Sequence, residues 1–240
     1  MTESLREAWE GQADAWATWA RAPGHDAFWH HTWPELAAFL PDPGELTLDL
    51  GCGEGRLGRE LTRRGHHVVG FDSSPTMVRY AVTHDQPVPT VLADIAHLPV
   101  RAGVADLAIG CMSFQDVDDL PGAVRDAAAA LRPGGRLCLA IVHPLNSAGA
   151  FADDSPDAPF VIRGSYLDEF RYTGTFERDG YVMTFHSAHR PLETYVRAFE
   201  EAGLLLEALR EPAFDGPSEK VRFQGWRRLP LFCFLRARKP

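Results

Sequence analysis

Between Glu45 and Pro144 the chain alternates short apolar runs with amphipathic stretches closed by glycine or proline. ELTLDL (45–50), HVVGFD (67–72), PTVLAD (89–94), VADLAIGCM (104–112) and RLCLAIVHP (136–144) read as strands. RLGRELTRRG (56–65), PTMVRYAV (75–82) and LPGAVRDAAAALRPGG (120–135) read as helices. Pro75 sits at the first helical position of the second, and Pro133 with two glycines stops the third. Near-continuous apolar strands separated by helices predict a parallel sheet covered on both faces.

The rhythm breaks over residues 145–188. NSAGAFADDSPDAPF is loop-like, and EFRYTGTF and GYVMTFHS then alternate as two hairpin strands around ERDG. RPLETYVRAFEEAGL (190–204) returns to a helix ended by Gly203, and LLLEALRE (204–211) and LPLFCFLRAR (229–238) supply the last strands. Residues 145–188 are therefore expected as an inserted cap within a core spanning 41–240, not as a second domain. Residues 1–40 carry five of the six tryptophans (9, 16, 19, 29 and 33), a density that predicts a helical aromatic cap packed over something.

Composition narrows the function classes. The 240 residues carry 24 Lys+Arg against 33 Asp+Glu, a net charge of −9, which argues against a surface that tracks nucleic-acid phosphates. Cys52, Cys111, Cys138 and Cys233 are widely spaced with no CxxC pair, so they read as reduced thiols and not as a disulfide framework or zinc site. No signal-peptide pattern opens the chain and no apolar run approaches a membrane span, so a cytoplasmic protein is expected.

The segment richest in chemistry is Asp49-Leu50-Gly51-Cys52-Gly53-Glu54-Gly55, which leaves a strand and enters a helix. Glycines let the backbone turn sharply and approach a ligand, and the helix start offers free N–H groups. Gly53-Glu54-Gly55-Arg56-Leu57-Gly58 also satisfies the dinucleotide pattern, with Asp72 placed as a ribose acid. Asp49 decides between the two. Its carboxylate at the strand end would repel a pyrophosphate but attract an ammonium and a sulfonium. Asp94, after the third strand, adds an acceptor for an adenine amine.

Here the residues resemble the class I S-adenosylmethionine-dependent methyltransferases. DLGCGEG is similar to that family's first motif, FDSSPTM to its second, ADIAHLP to its third and ALRPGGRLCLA to the signature after its fourth strand. The resemblance implies an α/β fold, a doubly wound, mostly parallel seven-stranded sheet with its last strand antiparallel, and S-adenosyl-L-methionine as cofactor. It places Asp49, Gly51 and Gly53 at the methionine end, with Cys52 filling the turn. Asp72, with Ser73 beside it, goes to the ribose; Met77, Asp94 and Ile95 to adenine; Cys111 and Met112 against the methionine part.

The fourth strand ends Cys111-Met112-Ser113-Phe114-Gln115-Asp116, without the Asn/Asp-Pro-Pro-aromatic tetrapeptide of base-amino methyltransferases. The aromatic N-terminus and the inserted hairpin together predict an enclosed pocket for a small aromatic or heterocyclic acceptor. Candidate bases are His143, ending the fifth strand, and His189 after the hairpin. Trp29, Ser113, Gln115, Tyr166 and His186 are expected around the acceptor, with Tyr172 on the hairpin as well. His25, His30 and His31 belong with the aromatic lid, whereas His66 and His67 read as structural. Asp116, Asp118 and Asp119 overlap a helix start, where carboxylates favour the dipole, so no metal is expected. Seven basic residues and no acid between Lys220 and Pro240 leave an RNA or protein methyltransferase open, as well as a donor-binding protein without transfer.

Overall fold

The structure is a computed structural model and describes residues 3–22, 25–26, 28–29, 32–213 and 225–240. Its central sheet comprises β1 (Thr47–Leu50), β2 (Val68–Asp72), β3 (Thr90–Leu92), β4 (Ala105–Cys111), β5 (Leu131–Val142) and, near the C-terminus, β10 (Leu205–Arg210) and β11 (Phe232–Arg238). The order across the sheet is β10-β11-β5-β4-β1-β2-β3. Strands β1 to β5 pair in parallel, and β11 runs antiparallel to both its neighbours, β5 and β10. Helices α3 (Arg56–Arg63), α4 (Pro75–Val82), α5 (Leu120–Ala130) and α6 (Leu192–Glu201) flank it.

The apolar strands explain the burial. Leu48, Leu50, Ala108, Ile109, Leu137, Leu139 and Ile141 are all at or below 1% exposure. They divide between two packed layers on opposite faces of the sheet, one centred on α5 and α6, the other on α2 (Trp33–Phe39) and α3. Asp49 lies in register with Gly70 of β2 and Ile109 of β4. It therefore sits at the sheet centre, where crossovers depart in opposite directions and open α/β sheets hold their ligands.

Several boundaries differ from the sequence expectation. The third helix stops at Ala130 instead of running to 135, because Leu131 is already extended and pairs with Ala105. The stretch 146–160 is not wholly loop. Leu145–Ala148 forms a helical turn, and β6 (Gly149–Phe151) pairs antiparallel with β7 (Phe160–Ile162). The expected hairpin is present as β8 (Phe170–Arg178) and β9 (Tyr181–His189), turning at Asp179 and Gly180, both with positive φ (51° and 79°).

Helix α1 (Leu5–Arg21) begins with a capping box, the Glu7 N–H donating to Ser4 Oγ at 3.1 Å and the Ser4 N–H to Glu7 Oε2 at 3.0 Å. It is strapped to three elements. Its Leu5 N–H donates to Asp118 (3.1 Å), the Trp9 indole N–H donates to the His186 carbonyl (2.8 Å), and Glu10 accepts from Thr76 Oγ1 (2.8 Å). Among the described residues, no helix is long and apolar enough to cross a membrane.

Candidate active site

A cavity of about 770 Å³ opens at the C-terminal ends of β1, β2 and β4, roofed by α1 and the β8–β9 hairpin. One end is built by the glycine turn. Gly51 and Gly53 adopt φ of +74° and +54°, which side chains rarely take, and a Cβ at Gly51 would stand 2.4 Å from the Ser113 Cβ. The Ser113 hydroxyl donates to the Leu50 carbonyl at 2.6 Å, locking the ends of β1 and β4 together. Met112, also lining the cavity, holds φ +55° without being glycine, a strained conformation that accompanies functional sites.

Carboxylates ring this end. Asp49 is 1% exposed and its Oδ2 has no hydrogen-bond partner. Burial, and then the charge of Asp72, push its pKa up to about 7, against a smaller opposing effect of the Gly58 N–H. Asp72 accepts from the Gly53 N–H (2.7 Å) and the Ser74 N–H (2.9 Å), while burial raises its pKa. Asp94 accepts from the Ala96 N–H at 2.9 Å. Ser73, Met77, Asp94, Ile95, Cys52, Cys111 and Met112 all line the same cavity. The Cys52 and Cys111 thiols are held protonated by burial, with pKa raised well above the usual value.

The donor set fits S-adenosylmethionine on an observation independent of the motif. A buried, unpartnered carboxylate oxygen would be left uncompensated unless a cationic or N–H-bearing group faces it. A pyrophosphate would make that burial worse.

Much of the cavity wall is aromatic, and Trp16 reaches the glycine turn itself, its Nε1 3.8 Å from where a Cβ at Gly53 would stand. Trp9, Trp16, Trp19, Phe28, Trp29, Phe176, Phe185, Trp226 and Phe232 line the cavity. Trp9, Trp16 and Trp19 each meet Phe185 edge to face at 5.9–6.3 Å between centroids. Trp29 stacks on Trp33 and carries the Arg56 guanidinium 4.4 Å over its ring, with Arg56 also paired to Asp26 at 3.1 Å. Ser113, Gln115 and Trp29 thus reach the cavity, as does Tyr172 from the hairpin.

Four expected residues are not brought there. His143 Nε2 faces Glu211 Oε1 at 3.0 Å and its Nδ1 accepts from the Leu145 N–H at 3.1 Å, so both ring nitrogens are engaged outside the cavity lining. His189 is 1% exposed, with Nδ1 against Ser147 Oγ (2.7 Å), Nε2 against the Tyr166 carbonyl (2.9 Å) and its ring stacked on Phe170. Tyr166 spends its hydroxyl accepting from the Leu192 N–H at 3.1 Å. His186 follows from strand alternation: Phe185 and Ser187 face the cavity, so the residue between them faces away. Among the lid histidines, His25 lines the cavity and pairs with Asp179 at 2.9 Å, while His30 and His31 lie outside the described residues, as do residues 220–224 of the basic stretch. His66 bonds Thr47 Oγ1 at 2.9 Å beneath the sheet, a structural role.

The three adjacent acids separate. Asp119 caps α5, accepting from the Gly122 N–H at 2.9 Å. Asp118 holds the start of α1 and pairs with Arg171 at 2.5 Å. Asp116 lines the cavity instead, accepting from the Ser187 hydroxyl at 2.5 Å. Burial pushes its pKa up to about 8, against the opposing effects of Ser187 and Arg190. Nothing local in the sequence singled it out, because all three acids precede the same helix.

Residues 48–139 match a family described as a methyltransferase domain. Over 173 residues the chain is 29% identical to a ubiquinone biosynthesis O-methyltransferase of Methylobacterium sp. (strain 4-46), covering 69% of this chain and 63% of that one. It is 33% identical over 93 residues to a malonyl-[acyl-carrier protein] O-methyltransferase of Serratia marcescens, covering 39% and 36% of the two chains. In structure it is similar to an S-adenosylmethionine-dependent methyltransferase from Mesorhizobium loti, at 27% identity and a TM-score of 0.68, covering 86% of this chain and 97% of the other. The chain spans between 32% and 63% of the length of the first three curated relatives it matches. Residues 48–139 thus carry a methyltransferase domain, and the fold and sheet order are similar to those of a solved S-adenosylmethionine-dependent methyltransferase.

Proposed function

We propose that the protein transfers the methyl group of S-adenosylmethionine to a small, hydroxyl-bearing aromatic or heterocyclic molecule held inside the cavity. One observation carries this reading: a single cavity holds both a buried carboxylate with an unpartnered oxygen, beside the glycine turn, and a wall of aromatic rings. In this reading Asp49 and the turn at Gly51 and Gly53 hold the methionine end of the donor. Asp72 and Ser73 serve its ribose, Met77, Asp94 and Ile95 its adenine. When bound, the donor supplies a methyl group already activated on a sulfonium. The chain's own work is then to align the acceptor and exclude water.

Segments 1–40 and 145–188 act in this account as two caps. Trp9, Trp16 and Trp19 of one and Phe176 and Phe185 of the other close over the acceptor. Such a roof suits a small molecule better than a polymer, which would need an open groove. The oxygen acceptor is supported by the two curated relatives, both named as O-methyltransferases. Incubation with methyl-labelled donor tests the reading, comparing small-molecule extracts with total RNA and total protein. Label in a low-molecular-weight fraction supports it; label confined to RNA or protein overturns it.

A further inference from the structure

Directly after β4 the cavity wall presents two hydrogen-bond acceptors side by side. Gln115 is 6% exposed; its amide Nε2 donates to Asp116 Oδ2 at 3.3 Å, which leaves Oε1 buried without a partner. Asp116 receives the Ser187 hydroxyl on its other oxygen, from β9. Arg190 fixes the turn itself, donating to the Gln115 carbonyl at 3.3 Å and the Val117 carbonyl at 2.6 Å. Both side chains line the cavity. A buried acceptor that lacks a donor is a defect in a resting protein unless a ligand supplies the missing hydrogen.

We infer that Gln115 and Asp116 form the acceptor subsite, and that Asp116 is the catalytic residue that takes the proton from the substrate hydroxyl. The inference rests on the proposed methyl transfer and deepens it. The hydroxyl oxygen forms a bond to the methyl carbon as the carbon–sulfur bond breaks. The bonding pair stays on sulfur, which leaves as a neutral thioether, and the hydroxyl proton passes to an Asp116 oxygen. Asp116 later returns that proton to water. Gln115 Oε1 receives a second donor from the substrate and sets its orientation.

The titration of Asp116 is governed by named neighbours. Arg190 and the Ser187 hydroxyl favour its carboxylate, and burial opposes them. Tyr172 of β8 and Tyr195 of α6 feel its charge, and their own pKa values are raised by burial. Arg6 and Asp118 line the same cavity. The carboxylate, the form able to take a proton, therefore gains population as pH rises through about 8.

The test uses the full chain with S-adenosylhomocysteine bound, and two probes, phenol and anisole, which differ in the hydroxyl hydrogen. Phenol ionises near pH 10, as tyrosine does, so measurements stay at or below about pH 9. Calorimetry is expected to show phenol binding about tenfold tighter than anisole at pH 9, with the preference fading towards pH 6.5. Asp116→Asn should erase both the preference and its pH dependence. Ser187→Ala keeps the carboxyl but removes a donor to it, so the preference should persist with its midpoint shifted to higher pH. Equal binding of the two probes, absence of phenol binding, or an unchanged pH dependence in Asp116→Asn overturns the assignment. A parallel titration with S-adenosylmethionine separates the outcomes: loss of donor binding sinks the methyl-transfer reading itself, whereas intact donor binding with no phenol response sinks only the role of Asp116.

Discussion

Gly51 and Ser113 meet so closely that the glycine's missing side chain is the space the serine occupies. A Cβ at Gly51 would lie 2.4 Å from the Ser113 Cβ, and the backbone there holds φ +74°. Neither obstacle relaxes cheaply, since the serine atom is next to its own backbone and its hydroxyl is tied to Leu50. Gly51→Ala should therefore destabilise the fold by about 1–3 kcal/mol and weaken donor binding at least tenfold. Thermal melts and donor calorimetry check the two effects together.

Asp49 makes a prediction with a definite sign. Its folded pKa is raised, from 3.8 to about 7, so its favourable contribution to the unliganded fold is present at low pH and fades as pH rises to about 7. The melting temperature of the unliganded protein should fall between pH 5 and pH 8, with Asp116 and Asp72 contributing in the same direction. Asp49→Asn should lessen that fall while weakening donor binding about ten- to a hundredfold. Donor affinity of the native protein should rise over the same interval, as the carboxylate that faces the cation is populated.

His143 should be dispensable for chemistry. Its ring is spent on Glu211 and the Leu145 N–H, and it does not line the cavity. His143→Ala is expected to lower the melting temperature by a few degrees, as losing a buried hydrogen-bonded group does, and to leave turnover within about threefold. Turnover reduced a hundredfold, with the donor still bound, would restore the histidine as the base.

Asp118 ties the roof down. It accepts the Leu5 N–H at 3.1 Å and the Arg6 N–H at 3.4 Å, and it pairs with Arg171 of the hairpin. Asp118→Ala should free the start of α1, seen as faster amide exchange over residues 5–12. Ligand affinity should fall with it, because α1 contributes Trp9, Trp16 and Trp19 to the cavity wall.

The core was legible because its signals are local. Buried parallel strands appear as apolar runs, Gly65 and Gly203 mark helix ends, and DLGCGEG encodes a turn whose φ angles demand glycine. The hairpin was legible for the same reason, Asp179-Gly180 being a pair that tolerates positive φ. The three-residue strands β6 and β7 were not, since so short a pairing leaves no period to read. The acceptor end was illegible in its chemistry. Which of His143, His186 and His189 reaches the cavity depends on how the insertion packs against β5 and α1, and none of them does. Asp116 was hidden among Asp118 and Asp119, where one cap, one strap and one cavity wall share a single acidic stretch.

The proposed methyl transfer requires that the glycine turn and Asp49 hold a sulfonium donor and not a dinucleotide, although residues 53–58 also satisfy the dinucleotide pattern. Titration calorimetry of the native chain with S-adenosylmethionine and, separately, with NAD decides between them. One-to-one binding of S-adenosylmethionine is expected in roughly the micromolar range usual for enzyme ligands, lost in large part in Asp49→Asn, with no heat of binding for NAD. Tight NAD binding with no response to S-adenosylmethionine would contradict it.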